Sequence, residues 1–184
     1  MKVVFVTTNP GKMGEARAIG KDFGIEFAQD RLDCTEIQSD STEDIAIESA
    51  KEAWKDLKKP LIVEDSGVFI KALGGFPGPY SAYVYKTIGV DGITKLMNGV
   101  KDHSAVMKSA VVYTDGRVMK TFLGEVKGTI PGKKRGKKGF GYDPVFVPEG
   151  MKKTFGEDPE YKNQISHRAQ ALRKFCKWHL TKHV

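Results

Sequence analysis

The sequence predicts an α/β protein with a mixed central sheet flanked by helices. Apolar strands and amphipathic helices alternate through the first third of the chain, as strand, helix, strand, helix, strand. Further on, "SAVMKSAVVYTDGRVMKTFLGEVKGTI" is two long alternating runs joined at Asp115-Gly116, a strong hairpin signal. An antiparallel hairpin added to a parallel core makes a mixed sheet. At 184 residues the chain is long enough for one domain with a proper core.

Val3 to Val6 is apolar and mostly β-branched, a buried strand. Asn9-Pro10 follows, with Asn9 as N-cap and Pro10 at the first helical position. The helix runs to about Phe23, where Gly24 ends it. "IEFAQD" is the second strand. "STEDIAIESAKEAWKDLKK" is a helix capped by Ser41 or Thr42, with Ile47, Ala50, Trp54 and Leu57 on one face. Pro60 opens "PLIVED", a short buried strand ending at two acids. "ALGGFPGPYSAY" is a rigid loop rich in glycine and proline. A helix covers "GVDGITKLMNG", and "PVFVP" is another short strand. The last helix starts near Ser166, with Ala169, Leu172, Cys176 and Leu180 on one side.

Composition narrows the function. The chain is 40% hydrophobic and 29% charged with a formal charge of +7, an ordinary globular balance that favours anionic partners. No apolar run approaches the roughly 18 residues of a membrane span, and no leader precedes the first strand, so a cytoplasmic protein without a membrane partner is expected. The two cysteines, Cys34 and Cys176, have no metal spacing and read as reduced thiols. Nor do the four histidines show zinc-ligand spacing.

Several stretches can carry chemistry. In "TTNPGK", Thr7, Thr8 and Asn9 add hydroxyl and amide groups to a helix N-terminus beside Lys12, a phosphate-binding arrangement. Read alone, the motif favours a capped helix with a solvated lysine, since Asn-Pro caps are common structural devices. "LIVEDSG" brings Glu64 and Asp65 to a strand end, where ligands of open α/β sheets collect and where hard oxygen donors suit Mg²⁺. Alternation sends the two acids to opposite faces, so one of them reaches a given metal. "GKKGFGYDP" offers Phe140 or Tyr142 for stacking on a base and Asp143 as an acceptor for ring N–H groups. In "SHR", His167 and Arg168 sit in a first helical turn, an unfavourable place for cations unless an anion is held nearby.

Together these stretches resemble the Ham1, or inosine triphosphatase, family of pyrophosphatases acting on non-standard purine nucleoside triphosphates. Its Thr-x-Asn-x-x-Lys is matched by Thr7, Asn9 and Lys12. "EDSG", "LGGFPGPYSA", "FGYD" and "SHR" follow in the family's order, with Lys162 before the last. The resemblance implies an elongated, two-lobed Maf/Ham1-like fold, one domain over residues 1–184 with the site in the cleft between lobes. It implies that Thr7, Thr8, Asn9, Pro10, Gly11 and Lys12 bind the triphosphate and that Asp65 is the catalytic acid and a metal ligand. Glu36, which nothing local marks, becomes the second metal ligand. Ser66 contacts substrate, and Phe140, Gly141, Tyr142 and Asp143 hold the base, Phe140 by stacking. Lys162, His167 and Arg168 contact base or phosphates. Mg²⁺ is the implied cofactor and a homodimer the implied assembly. The chain departs from many bacterial members at Ala53, where they carry a lysine; Lys51 is displaced by two residues.

The implied reaction is hydrolysis of ITP, dITP or XTP between the α- and β-phosphates, giving a nucleoside monophosphate and pyrophosphate. Selection against adenine has a physical basis, since a 6-keto group and N1–H require partners that adenine leaves unmet. Two alternatives stand beside it. One is a Maf-like pyrophosphatase acting on modified or pyrimidine nucleotides, against which "FGYD" and "SHR" argue. The other is a non-catalytic nucleic-acid-binding protein using the basic run at 133–138, which leaves the acids unexplained. No stable nucleic-acid partner is expected.

Overall fold

A computed structural model describes residues 1–35 and 37–182. Among these, seven strands form one mixed sheet in the order β2-β1-β3-β5-β6-β7, with β4 added beside β3. Strands β1 (Lys2–Val6) and β2 (Glu26–Asp30) are parallel, as are β1 and the start of β3 (Leu61–Ile70). From there β3 pairs antiparallel with β5 (Ser104–Thr114), and β5 with β6 (Met119–Thr129). The expected mixed sheet is therefore present, and its antiparallel part is the predicted hairpin. The turn is longer than two residues: Asp115 accepts from the N–H groups of Arg117 and Val118 at 3.0 and 2.9 Å.

Two expectations about β3 and its surroundings are corrected. The strand does not end at the acids. Glu64, Asp65, Ser66 and Gly67 lie within it, and β5 pairs with every residue from Leu61 to Ile70. Asp-Ser-Gly reads as a turn signal, but the ladder to β5 overrides it. The segment after it is more than a loop: β4 (Pro77–Gly78) pairs with Val68 and Phe69, and helix α3 (Ser81–Thr87) follows.

This topology makes an opening. On the edge of β3 away from β5, β1 pairs as far as Ile62, and β4 begins at Val68. Val63 to Gly67 lie between those neighbours, just beyond the carboxyl end of β1. Alternation along the strand then divides the side chains. Ile62 joins the core under α1 (Pro10–Asp22) and α6 (His167–Thr181), whereas Leu61 and Val63 join the core under α2 (Thr42–Leu57). Glu64 and Ser66 continue the first face, and Asp65 the second.

The helices differ in detail from expectation. Helix α1 is capped by Asn9 as predicted. In α2 the buried face is Ile45, Ala46, Ala50 and Ala53, not the Trp54 face. Alanines let the helix lie close to the sheet, while Trp54 leans on the hairpin turn beside Gly116. Helix α4 (Gly89–Leu96) matches its predicted segment, and α5 (Pro159–Ile165) is an unpredicted helix just before α6. In α6, Ala169, Leu172 and Cys176 are buried as expected, and Phe175 and His179 join them. "PVFVP" becomes a 3-10 turn at Asp143–Val145 followed by β7 (Val147–Pro148). Both cysteines are free thiols. None of the described helices is long and apolar enough to cross a membrane.

Candidate active site

A cavity of about 630 Å³ opens at the gap beside β3. Thr7 to Lys12, Asp65, Ser66, the Phe140–Asp143 segment, Lys162, His167 and Arg168 all line it. The structure thus brings together residues spread over most of the chain. Glu36 lies outside the described residues.

At the start of α1, Asn9 accepts from the N–H groups of Gly11 and Lys12 at 2.9 and 3.2 Å. Thr7 Oγ1 accepts from Asn9 N–H at 3.1 Å. The chain's own cap therefore already engages the Gly11 and Lys12 N–H groups. Lys12 is likewise not a free cation. Its Nζ lies 2.9 Å from Glu64 Oε2 and donates to the Glu64 carbonyl at 3.0 Å.

Glu64 is the centre of this cluster. Its side chain is fully buried, and its carboxylate also accepts from Ser109 Oγ at 2.6 Å and Arg168 Nε at 3.1 Å. Burial works to raise its pKa, but Arg168 and Lys12 prevail and hold it well below the usual carboxylate range. Arg168 also donates to Glu15 Oε2 at 2.7 Å and Ser66 Oγ at 2.8 Å. Burial disfavours its charge, yet Glu64 and Glu15 raise its pKa above the ordinary value. The anion that the Arg168 position called for is thus supplied by the protein itself.

A second pair of contacts extends the network. Lys162, in α5 and 3% exposed, lies 2.5 Å from Glu15 Oε1 and 2.6 Å from Asp143 Oδ2. Asp143 Oδ2 also accepts from Phe140 N–H at 2.8 Å. Burial raises the Asp143 pKa despite Lys162, whereas Arg168 and Lys162 outweigh burial at Glu15 and lower it. Lys12, Lys162 and Arg168 are therefore matched by Glu15, Glu64 and Asp143.

Above this layer lies Phe140. Lys162 Nζ is 4.4 Å from its ring centroid, and the Arg168 guanidinium 5.4 Å. The ring also rests on α1 at Gly11, where a Cβ would come within 2.5 Å of Cδ1. Tyr142 is not a stacking platform: it is buried, and its hydroxyl donates to the Ser81 carbonyl at 2.9 Å. His167 is buried, and among the described residues its Nδ1 has no hydrogen-bond partner. Burial and the adjacent Arg168 push its pKa down to about 3, so the ring is neutral at physiological pH.

Glu15 and Ser109 escaped the sequence reading. Glu15 has a detectable signal, one helical turn after Lys12 on the face that carries the motif. Ser109 has none: the β3–β5 register sets it opposite Ser66, and from there its hydroxyl reaches Glu64 diagonally. Ala53, where the family lysine was expected, is buried in the core. Lys51 pairs with Glu48 at 2.5 Å and lines a separate groove near Trp54 and Arg117. The α2 residue that lines the main cavity is Ser49.

The pattern of the Ham1 family matches residues 3–178. A dITP/XTP pyrophosphatase of Methanopyrus kandleri is 50% identical over 182 residues, covering 97% of this chain and 96% of the relative. One from Saccharolobus solfataricus is 48% identical over 97% of this chain and 93% of its own length. Among solved structures, the Ham1 protein of Staphylococcus aureus superposes with a TM-score of 0.85 at 28% identity, covering 99% of this chain and 100% of that one.

Proposed function

This chain belongs to the Ham1 family, and from that premise we propose that it hydrolyses ITP, dITP and XTP to the nucleoside monophosphate and pyrophosphate. It is a hydrolase of nucleotide metabolism acting on nucleoside triphosphates. The observation that carries the reading is the cavity itself, where an acid-bearing strand, a helix N-terminus and a base-sized aromatic face meet.

Asp65 is the group we assign as proton acceptor for the attacking water. It lines the cavity on the opposite face of β3 from Glu64. Glu64 is locked to Arg168, Lys12 and Ser109, which suits a positioning role rather than proton transfer. Mg²⁺ is commonly held by one or two carboxylates together with substrate phosphates. Among the described residues no group of three His, Cys, Asp or Glu side chains is arranged to hold a metal ion. Asp65, whose carboxylate lines the cavity, is the described residue that would hold such an ion beside the phosphates, and Glu36 is the second ligand in this reading. Such an ion neutralises phosphate oxygens and orients water.

For base recognition, Phe140 provides the stacking face and His167 Nδ1 an unused polar atom. An unpaired buried donor or acceptor costs about 1–3 kcal/mol, which a purine's 6-keto or N1–H group can recover. The domain spans residues 1–184, with lobes on either side of the cavity. A cytoplasmic homodimer completes the reading, in line with the prevalence of symmetric dimers.

The test is pyrophosphate release from ITP, XTP, dITP, GTP and ATP, with Mg²⁺ or EDTA, for the wild type and Asp65→Asn. Metal-dependent release from ITP and XTP, absent with ATP and lost in the variant, is expected. Orthophosphate as the product, or turnover of none of them with salt-sensitive oligonucleotide binding, overturns it.

A further inference from the structure

The charges around the cavity leave one cation unassigned. Lys12 is held by Glu64, Lys162 by Glu15 and Asp143, and Arg168 by Glu64 and Glu15. That cluster is internally balanced. It supplies little net positive charge to a triphosphate, which carries about four negative charges at neutral pH. Among the described residues Lys86 is the lysine or arginine that lines the cavity without a carboxylate within ion-pair distance. The two α2 positions where a compensating lysine was sought are excluded, since Ala53 is core and Lys51 faces another groove.

Helix α3 holds Lys86 in a defined place. Ser81 Oγ accepts from Val68 N–H at 2.9 Å and donates to the Gly78 carbonyl at 2.7 Å, tying the helix to β3 and β4. The Tyr142 hydroxyl bonds the Ser81 carbonyl and ties it to the base segment. Ala82 and Lys86, four residues apart on one helical face, both line the cavity. Ala82 adds little bulk beside Lys86 on that face. The ammonium group of an exposed lysine is mobile and donates three hydrogen bonds, which suits the several oxygens of a phosphate chain.

We propose that Lys86 binds the triphosphate chain of the substrate, supplying from α3 the cation that this chain lacks on α2. The proposal rests on the nucleotide reading above. Lys86 is a substrate-binding residue and takes no part in proton transfer.

The test compares wild type with Lys86→Gln, Lys86→Glu and Lys86→Arg. Steady-state turnover of ITP and calorimetric binding of inorganic triphosphate and of IMP are measured for each. Loss of one charge-assisted contact raises KM for ITP by about tenfold or more in the Gln variant, and further in the Glu variant. The Arg variant stays within about threefold of wild type, and triphosphate affinity falls in parallel with KM. IMP affinity, which reports folding and the base end, is unchanged. Unaltered KM and triphosphate affinity in both Gln and Glu variants overturn the proposal. Should wild type fail to hydrolyse ITP, the functional reading falls, and triphosphate binding alone still decides the role of Lys86.

Discussion

Arg168 donates from Nε to Glu64, from Nη1 to Glu15 and from Nη2 to Ser66. A buried guanidinium is tolerable only when its donors are matched in this way. Glu64→Gln leaves Arg168 and Lys12 short of counter-charge in a closed environment. It is expected to lower unfolding free energy by about 3–5 kcal/mol, measured by urea titration. Gly11 acts differently. Its missing side chain is what lets the Phe140 ring lie on the first turn of α1. Gly11→Ala is expected to displace the ring and raise KM for ITP by about three- to tenfold, with the melting temperature little changed because Phe140 is half-exposed. Kinetics and a thermal scan on the same preparation separate the two effects.

At the scale of elements, the site depends on β3 leaving one neighbour and meeting another, and on α6 reaching the sheet. The second depends on Gly124 in β6, where a Cβ would lie 2.0 Å from the His167 carbonyl. Gly124→Val is expected to cost about 2–3 kcal/mol or more, whereas Leu123→Ser, on the exposed side of the same strand, changes stability by about 0.5 kcal/mol at most. Denaturant midpoints for the pair are the check. Much of this architecture was readable beforehand: Asn9-Pro10 marks the first helix, and Asp115-Gly116 marks the hairpin. What was not readable is non-local. The contact of Glu15 with Arg168 spans 153 residues, and no local pattern records it. Asp65-Ser66-Gly67 looks like a turn until β5 pairs with it, and the alanine face of α2 is hidden because alanine is a weak hydrophobic signal. Glu36 carried no local signal either, and lies outside the described residues.

For the molecule as a whole, one acid-sensitive element is built into the core of the site. His167 has its pKa depressed to about 3, against an ordinary value near 6.5. Between those values the unfolded chain binds a proton that the folded one does not. Stability from this residue is therefore complete above about pH 6.5 and is lost as pH falls toward 3. His167→Gln is expected to flatten the stability profile between pH 4 and 6.5 relative to wild type, as read from urea midpoints across that range. In the proposed reaction water attacks the α-phosphorus and pyrophosphate leaves. The measurement that tests it most directly is a single turnover of ITP in ¹⁸O-labelled water, followed by mass spectrometry of both products. The label is expected in the monophosphate and not in pyrophosphate. Label in the pyrophosphate, or release of labelled orthophosphate, would contradict it.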